Sequence, residues 1–213
     1  VATYQGPGQI GGYYIEAPDA AQDADPATSE GLYVFDNTNS VTVGDFVNLT
    51  GTVKEYLGSG ASAFMTQTEL TNLTAFAKVS TGNPLPTPVA VSLPFASTYQ
   101  AERYEGMLIT LPQSLTVTDN YDLGHFGEVV LSNGRLPQPT NIVAPGAAAQ
   151  AQEAANALNQ IMLDDGLSTT YPSPTPYLNS ADPAVATRRT GSVTTGVTGV
   201  LDTKFGLYVV EPT

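Results

Sequence analysis

The chain has 213 residues, 20 Asp and Glu against 7 Lys and Arg, a formal net charge of −13, and neither Cys nor Trp. Such a negative surface repels phosphate backbones at long range, so any nucleic-acid contact has to be local, and the lack of Cys excludes disulfides and thiolate metal sites. No apolar run reaches the ~18 residues of a membrane span, so no membrane partner is expected. Val1 opens on strand-like sequence, so any signal peptide is expected to have been removed. Few lysines among many Thr, Ser, Asn and Gly lean toward a secreted, extracellular protein from a salty environment.

In chain order, the short opening "VATYQ" reads as a truncated first strand, which makes the chain a candidate fragment. Gly6, Gly8 and Gly11 satisfy G-x-G-x-x-G, but they lead into the strand "GYYIEA" rather than a helix N-terminus. A hairpin turn is therefore preferred to a dinucleotide site. The loop 17–31, "APDAAQDADPATSEG", gathers Asp19, Asp23, Asp25 and Glu30. Several carboxylates on one loop suit Ca²⁺, although the D-x-D-x-D-G spacing is absent and a solvated acidic loop is the simpler reading.

Alternating apolar residues then mark strands over 31–37, 45–56 and 63–80, before the proline-rich connector "TGNPLPTPVAVSLP", 81–94. Asn48 and Asn72 lie in N-x-T sequons, which matter only in a glycosylating host. Further strand patterns cover 105–121 and 127–132. His125, the only histidine, sits beside Gly124 and Gly127 and is expected in a hairpin turn. With no G-x-S-x-G or H-E-x-x-H, no acid–base or zinc constellation supports an enzyme within this stretch.

After the turn "SNG", Arg135 precedes Pro137 and Pro139, which block ladder pairing. Its guanidinium is read first as a structural tie to loop carbonyls or to Asp164 or Asp165, and second as a phosphate contact. The segment 146–160, "GAAAQAQEAANALNQ", is rich in helix formers and sets Ala148, Ala151, Ala155 and Leu158 on one face of the only substantial helix. Asp164 and Asp165 in "LDDG" read as a turn. A proline-rich surface loop follows over 167–191, and strands return over 192–202 and 206–212.

The class is thus mostly β. An echo between 43–56 and 189–202 aligns "LTGTV" with "VTGVL" and predicts a bulge or sharp bend at Gly51 and Gly199. Two OB-like antiparallel Greek-key barrels in tandem account for it: residues 1–80, the connector 81–94, and 95–213 with the one short helix.

Four stretches, "DPATSEGLYVF" (25–35), "ERYEGMLITLPQSLTVTDNYDLGHFGEVVLSNGRLPQPTN" (102–141), "LDDG" and "TGVLDTKFGLYVVEPT" (198–213), closely resemble large secreted bacterial endonucleases. The resemblance is to the region preceding the catalytic domain in the endonuclease/exonuclease/phosphatase superfamily. It implies an OB-fold-like, non-catalytic accessory region that works in cis with a downstream nuclease domain. That domain would hold the Mg²⁺ or Mn²⁺, and the resemblance also implies calcium dependence of the whole. No residue here matches the family's catalytic set, so none is carried over.

If such a region contacts DNA, the candidates are Lys54, Arg135, Arg188, Arg189 and Lys204, with Tyr13, Tyr14, Tyr33, Phe35, Phe205 and Tyr208 as stacking partners. Strict alternation places half of those rings in the core. The alternative from another class is an extracellular structural or adhesive module that self-associates through strand edges or calcium-bridged loops.

Overall fold

A computed structural model describes residues 1–4, 11–23, 25–57, 66–167, 169–178 and 188–213. The Thr-, Val- and Tyr-rich runs form strands, because β-branched and aromatic side chains fit a half-buried pleated surface. They build two sheets. The first is ordered β1-β2-β3-β5-β4, from β1 (Ala2–Tyr4), β2 (Gly12–Glu16), β3 (Gly31–Phe35), β4 (Phe46–Tyr56) and β5 (Gln67–Ser80).

The second sheet is formed by β6 (Val89–Ala90), β7 (Leu108–Leu111), β8 (Leu115–Asp119), β9 (Val129–Ser132), β10 (Ile161–Leu163), β11 (Val193–Thr194), β12 (Val197–Lys204) and β13 (Leu207–Pro212). Its order is β11-β8-β9-β10-β13-β12-β7-β6. Two α-helices, α1 (Leu123–Phe126) and α2 (Ala147–Leu158), and three single 3-10 turns complete the described elements.

The mostly β expectation holds, but closed barrels do not form: both sheets are open, with β1 and β4 at the edges of one and β11 and β6 at the edges of the other. Nor is the pairing wholly antiparallel, since β3 with β5, β6 with β7, and β10 with β13 run parallel. Alternation reports which side chains are buried and is silent on the direction of the neighbouring strand.

The second sheet carries the larger core, with Ile109, Leu111, Leu115, Ile161, Leu201 and Val210 fully buried. A smaller core under the first sheet unites Tyr13, Val34, Val41 and Leu70. A third cluster, of Tyr4, Tyr14, Tyr33, Leu108 and Val200, draws on both sheets and joins them. Gly31 and Gly106 let the backbones touch there, since a Cβ on either would collide with the other's main chain.

The proline-rich stretch 81–94 contributes β6 and the buried Val91 and Leu93 to the larger core. At the echo, the β4–β5 register shifts between Thr50 and Thr52, around Gly51, while Asn72 on the facing strand takes φ 49°, a left-handed conformation that Asn tolerates. Gly199 pairs without a register shift, and its hydrogen side chain instead admits the Glu211 carbonyl.

The helix lies where its composition puts it, but the face of Ala148, Ala151 and Ala155 is exposed, and of the expected stripe Leu158 alone packs on the core. Methyl groups that small bury little area, so they do not decide the helix orientation. Of the G-x-G-x-x-G residues, Gly6 and Gly8 lie outside the described residues, as do 63–65 of the strand read as 63–80.

Candidate functional site

The five candidate DNA-contact cations divide into two groups. Lys54 on β4 lies 3.2 Å from Glu69 of β5 and sits over the Tyr56 ring, 5.3 Å from its centroid. Lys204, at the end of β12, bridges Asp164 Oδ2 at 3.0 Å and Glu211 Oε1. Both carboxylates are fully buried, and the lysine is largely buried with them. These two ammonium groups neutralise internal carboxylates, as an acidic chain with few cations requires.

Arg135, Arg188 and Arg189, three of the four arginines, come together at the outer edge of the second sheet. The route starts at β8. Val117 exchanges backbone hydrogen bonds with the segment before β11, donating to Ser192 O at 2.8 Å and accepting from Gly191 N at 2.7 Å. The turn 189–192 is closed twice: Ser192 N donates to Arg189 O at 2.9 Å, and Arg189 N donates to Ser192 Oγ at 3.1 Å.

Arg135 reaches this turn from the far side of the "SNG" hairpin. Its guanidinium lies against Gly191, which has φ +91°, and a Cβ there would run into Nη2. The expected tie from Arg135 to Asp164 or Asp165 is not made: Lys204 holds Asp164, and Asp165 Oδ1 accepts the Leu167 amide at 2.8 Å. Among the described residues Arg135 forms no ion pair.

Beside the arginine turn stands Tyr121, which was not among the aromatics named from sequence. Asn120 Nδ2 donates to the Arg188 carbonyl at 2.6 Å, and the following Tyr121 is 86% exposed. His125 occupies the single turn α1 rather than a hairpin turn, because Gly127, at φ +81°, ends a short helical segment there. Its ring stacks on Phe126 at 3.8 Å and on Tyr171 at 4.6 Å, and the Tyr171 amide donates to the His125 carbonyl at 2.7 Å. Tyr171, from the proline-rich loop, is 71% exposed. Asp119 and Asp122 flank Tyr121, so the patch is mixed in charge.

Of the aromatics named from sequence, Tyr13, Tyr14, Tyr33 and Tyr208 are buried, which removes them as platforms, while Phe35 and Phe205 are exposed. Tyr13 and Tyr14 are adjacent and face opposite sides of β2, yet both are buried because that strand is covered on both faces.

The acidic loop is held by its own backbone. Asp23 N donates to Glu30 Oε1 at 2.8 Å, Asp25 N to Asp23 Oδ1 at 2.7 Å, and Ala27 N to Asp25 Oδ1 at 2.9 Å. Asp23, Asp25 and Glu30 line a cavity of about 300 Å³ together with Arg103. Asp19 points elsewhere and accepts the Thr87 amide and hydroxyl at 2.8 and 2.6 Å, bonds that hold its carboxyl below the usual range. Among the described residues no three acidic or His side chains form a set that could hold a metal ion.

No protein-family model, curated protein or solved structure matches this chain.

Proposed function

We propose that this chain is the non-catalytic accessory region of an extracellular, divalent-metal-dependent DNA endonuclease, and that it positions single-stranded or locally melted DNA for a nuclease domain in cis. The resemblance over Glu102–Asn141 supports the parentage. The single observation that carries the DNA-positioning role is the gathering of Arg135, Arg188 and Arg189 at one turn beside the exposed ring of Tyr121. Guanidinium groups engage phosphates while aromatic faces stack bases, a combination that tolerates any sequence. In this reading the two sheets are opened counterparts of the family's OB-like modules, and Mg²⁺ or Mn²⁺ belongs to the downstream domain.

The test is binding of a single-stranded oligonucleotide at low salt. Two to three phosphate contacts give a log–log salt slope of roughly −1.4 to −2. Absence of binding at low salt overturns DNA positioning and leaves a scaffold for the nuclease domain. The long edge strand β4 favours the second reading, self-association by strand addition, yet the bulge at Gly51 and the charges of Lys54 and Glu55 oppose it. A mass that rises on adding Ca²⁺, read by light scattering, supports that second reading and a calcium-bridged loop at Asp23, Asp25 and Glu30.

A further inference from the structure

The two sheets meet along a seam whose polar ties end on carboxyl groups. Asp202 of β12 accepts the Tyr14 hydroxyl of β2 and, at 2.8 Å, Gln67 Nε2 of β5. Glu211 of β13 accepts the Tyr4 hydroxyl of β1 at 3.4 Å. Glu105, ahead of β7, accepts the Thr68 amide of β5 at 3.2 Å. In the reverse direction, Glu16 of β2 accepts the Leu108 amide of β7 at 2.8 Å. Asp164, Asp202, Glu211 and Glu16 are 0, 1, 0 and 2% exposed.

The side-chain cation hydrogen-bonded within this group is Lys204, which reaches Asp164 and Glu211. One lysine cannot neutralise the buried Asp164, Asp202 and Glu211 together, and a buried carboxylate without a full counter-charge takes up a proton. We infer that the seam is a proton-held joint: protons retained on its carboxyl groups keep the two sheets together, and their loss above neutral pH loosens the contact between the sheets.

The surroundings of each acid agree. Burial pushes Glu211 up to about 7, with Asp164 and Asp202 adding to it and Lys204 opposing. Burial likewise raises Glu105 to about 8, reinforced by Asp202, Glu102 and Glu55. It takes Glu16 to about 7, where Asp19 and Glu30 add to the rise while the Leu108 amide and the Val1 amino group oppose it. Asp202 is raised by burial against the pull of Tyr14, Lys204 and Gln67. The tyrosines facing the seam, Tyr4, Tyr14 and Tyr177, are raised too, chiefly by burial, and stay as donors.

Between the ordinary glutamic acid value of 4.5 and about 8, the folded chain therefore binds more protons than the unfolded one. Stability falls as pH rises through that window and levels off above it.

The experiment follows denaturant midpoints and amide hydrogen exchange of the whole chain from about pH 6 to about pH 9. The wild-type midpoint is expected to fall, with exchange protection lost first in β2, β7 and β12. A Glu105→Gln, Glu211→Gln double variant, which keeps the acceptors in permanently neutral form, is expected to lose at least half of that fall. A wild-type midpoint that stays level or rises overturns the inference, as does a fall of equal size in the double variant. Should that variant not fold, infrared spectra of the wild type decide: protonated carboxyl bands at about pH 6 that vanish by about pH 9 support the joint, and their absence at both overturns it.

Discussion

Lys204 and Arg135 are both cations beside glycine-containing turns in an acidic chain, and from sequence both are candidates for a phosphate. One ends β12 inside the seam, between Asp164 and Glu211; the other lies on the surface against Gly191. The difference is the number of carboxylates each can reach. Where buried acids converge, a cation is consumed in neutralising them, and only a cation outside their reach keeps its donors for a ligand.

Removing each cation in turn is the strongest way to break that contrast. Lys204→Met strips the counter-charge from two buried carboxylates and is expected to cost about 3–5 kcal/mol at neutral pH, read by denaturant unfolding. Because the stranded acids can be protonated, part of that loss is expected to return at about pH 5. A loss of under about 1 kcal/mol at neutral pH would mean that the lysine is not what holds Asp164 and Glu211 in place.

Next in size is the pair of glycines that mark the two regions. Gly31→Ala drives a methyl group into the Gly106 backbone and has no flexible side chain to displace, so about 3 kcal/mol is expected from strain between the sheets. Gly191→Ala meets only the end of Arg135 but sits at φ +91°, so about 1–2 kcal/mol is expected, together with weaker DNA binding as the guanidinium is displaced. Equal costs at the two positions would erase the distinction between a packed seam and an open turn. Tyr14→Phe removes one donor to Asp202 while Gln67 remains, for about 1–2 kcal/mol, again by denaturant unfolding.

The two regions were also unequally legible in the sequence. "GLYVF" and "GLYVVEP" announce strands by composition, and β3 and β13 lie within a residue or two of the marked spans. The seam was hidden because Asp202 and Glu211 look like polar strand ends or turn residues. Their partners Tyr14 and Tyr4 are distant in sequence, and no local period encodes a contact between sheets. The arginine turn was half visible: the three arginines stood out against the net charge, whereas the stacking of His125 on Tyr171 joins segments 46 residues apart, from 125 to 171. Strand direction was invisible for the same reason, and with it the open, partly parallel order of both sheets.

The smallest expected effect on stability is also the sharpest test of what the surface cation does. Arg135→Ala removes a side chain with no ion pair among the described residues, so unfolding should change by no more than about 0.5 kcal/mol. If Arg135 holds a phosphate, the salt slope for a single-stranded oligonucleotide should flatten by about 0.7, the share of one contact. Tyr121→Ala should instead weaken binding by about 1–3 kcal/mol with the slope unchanged, since stacking releases no counterions. An Arg135→Ala chain that keeps the wild-type slope but unfolds more easily would make Arg135 a structural residue like Lys204, and the contrast between the two cations would be lost.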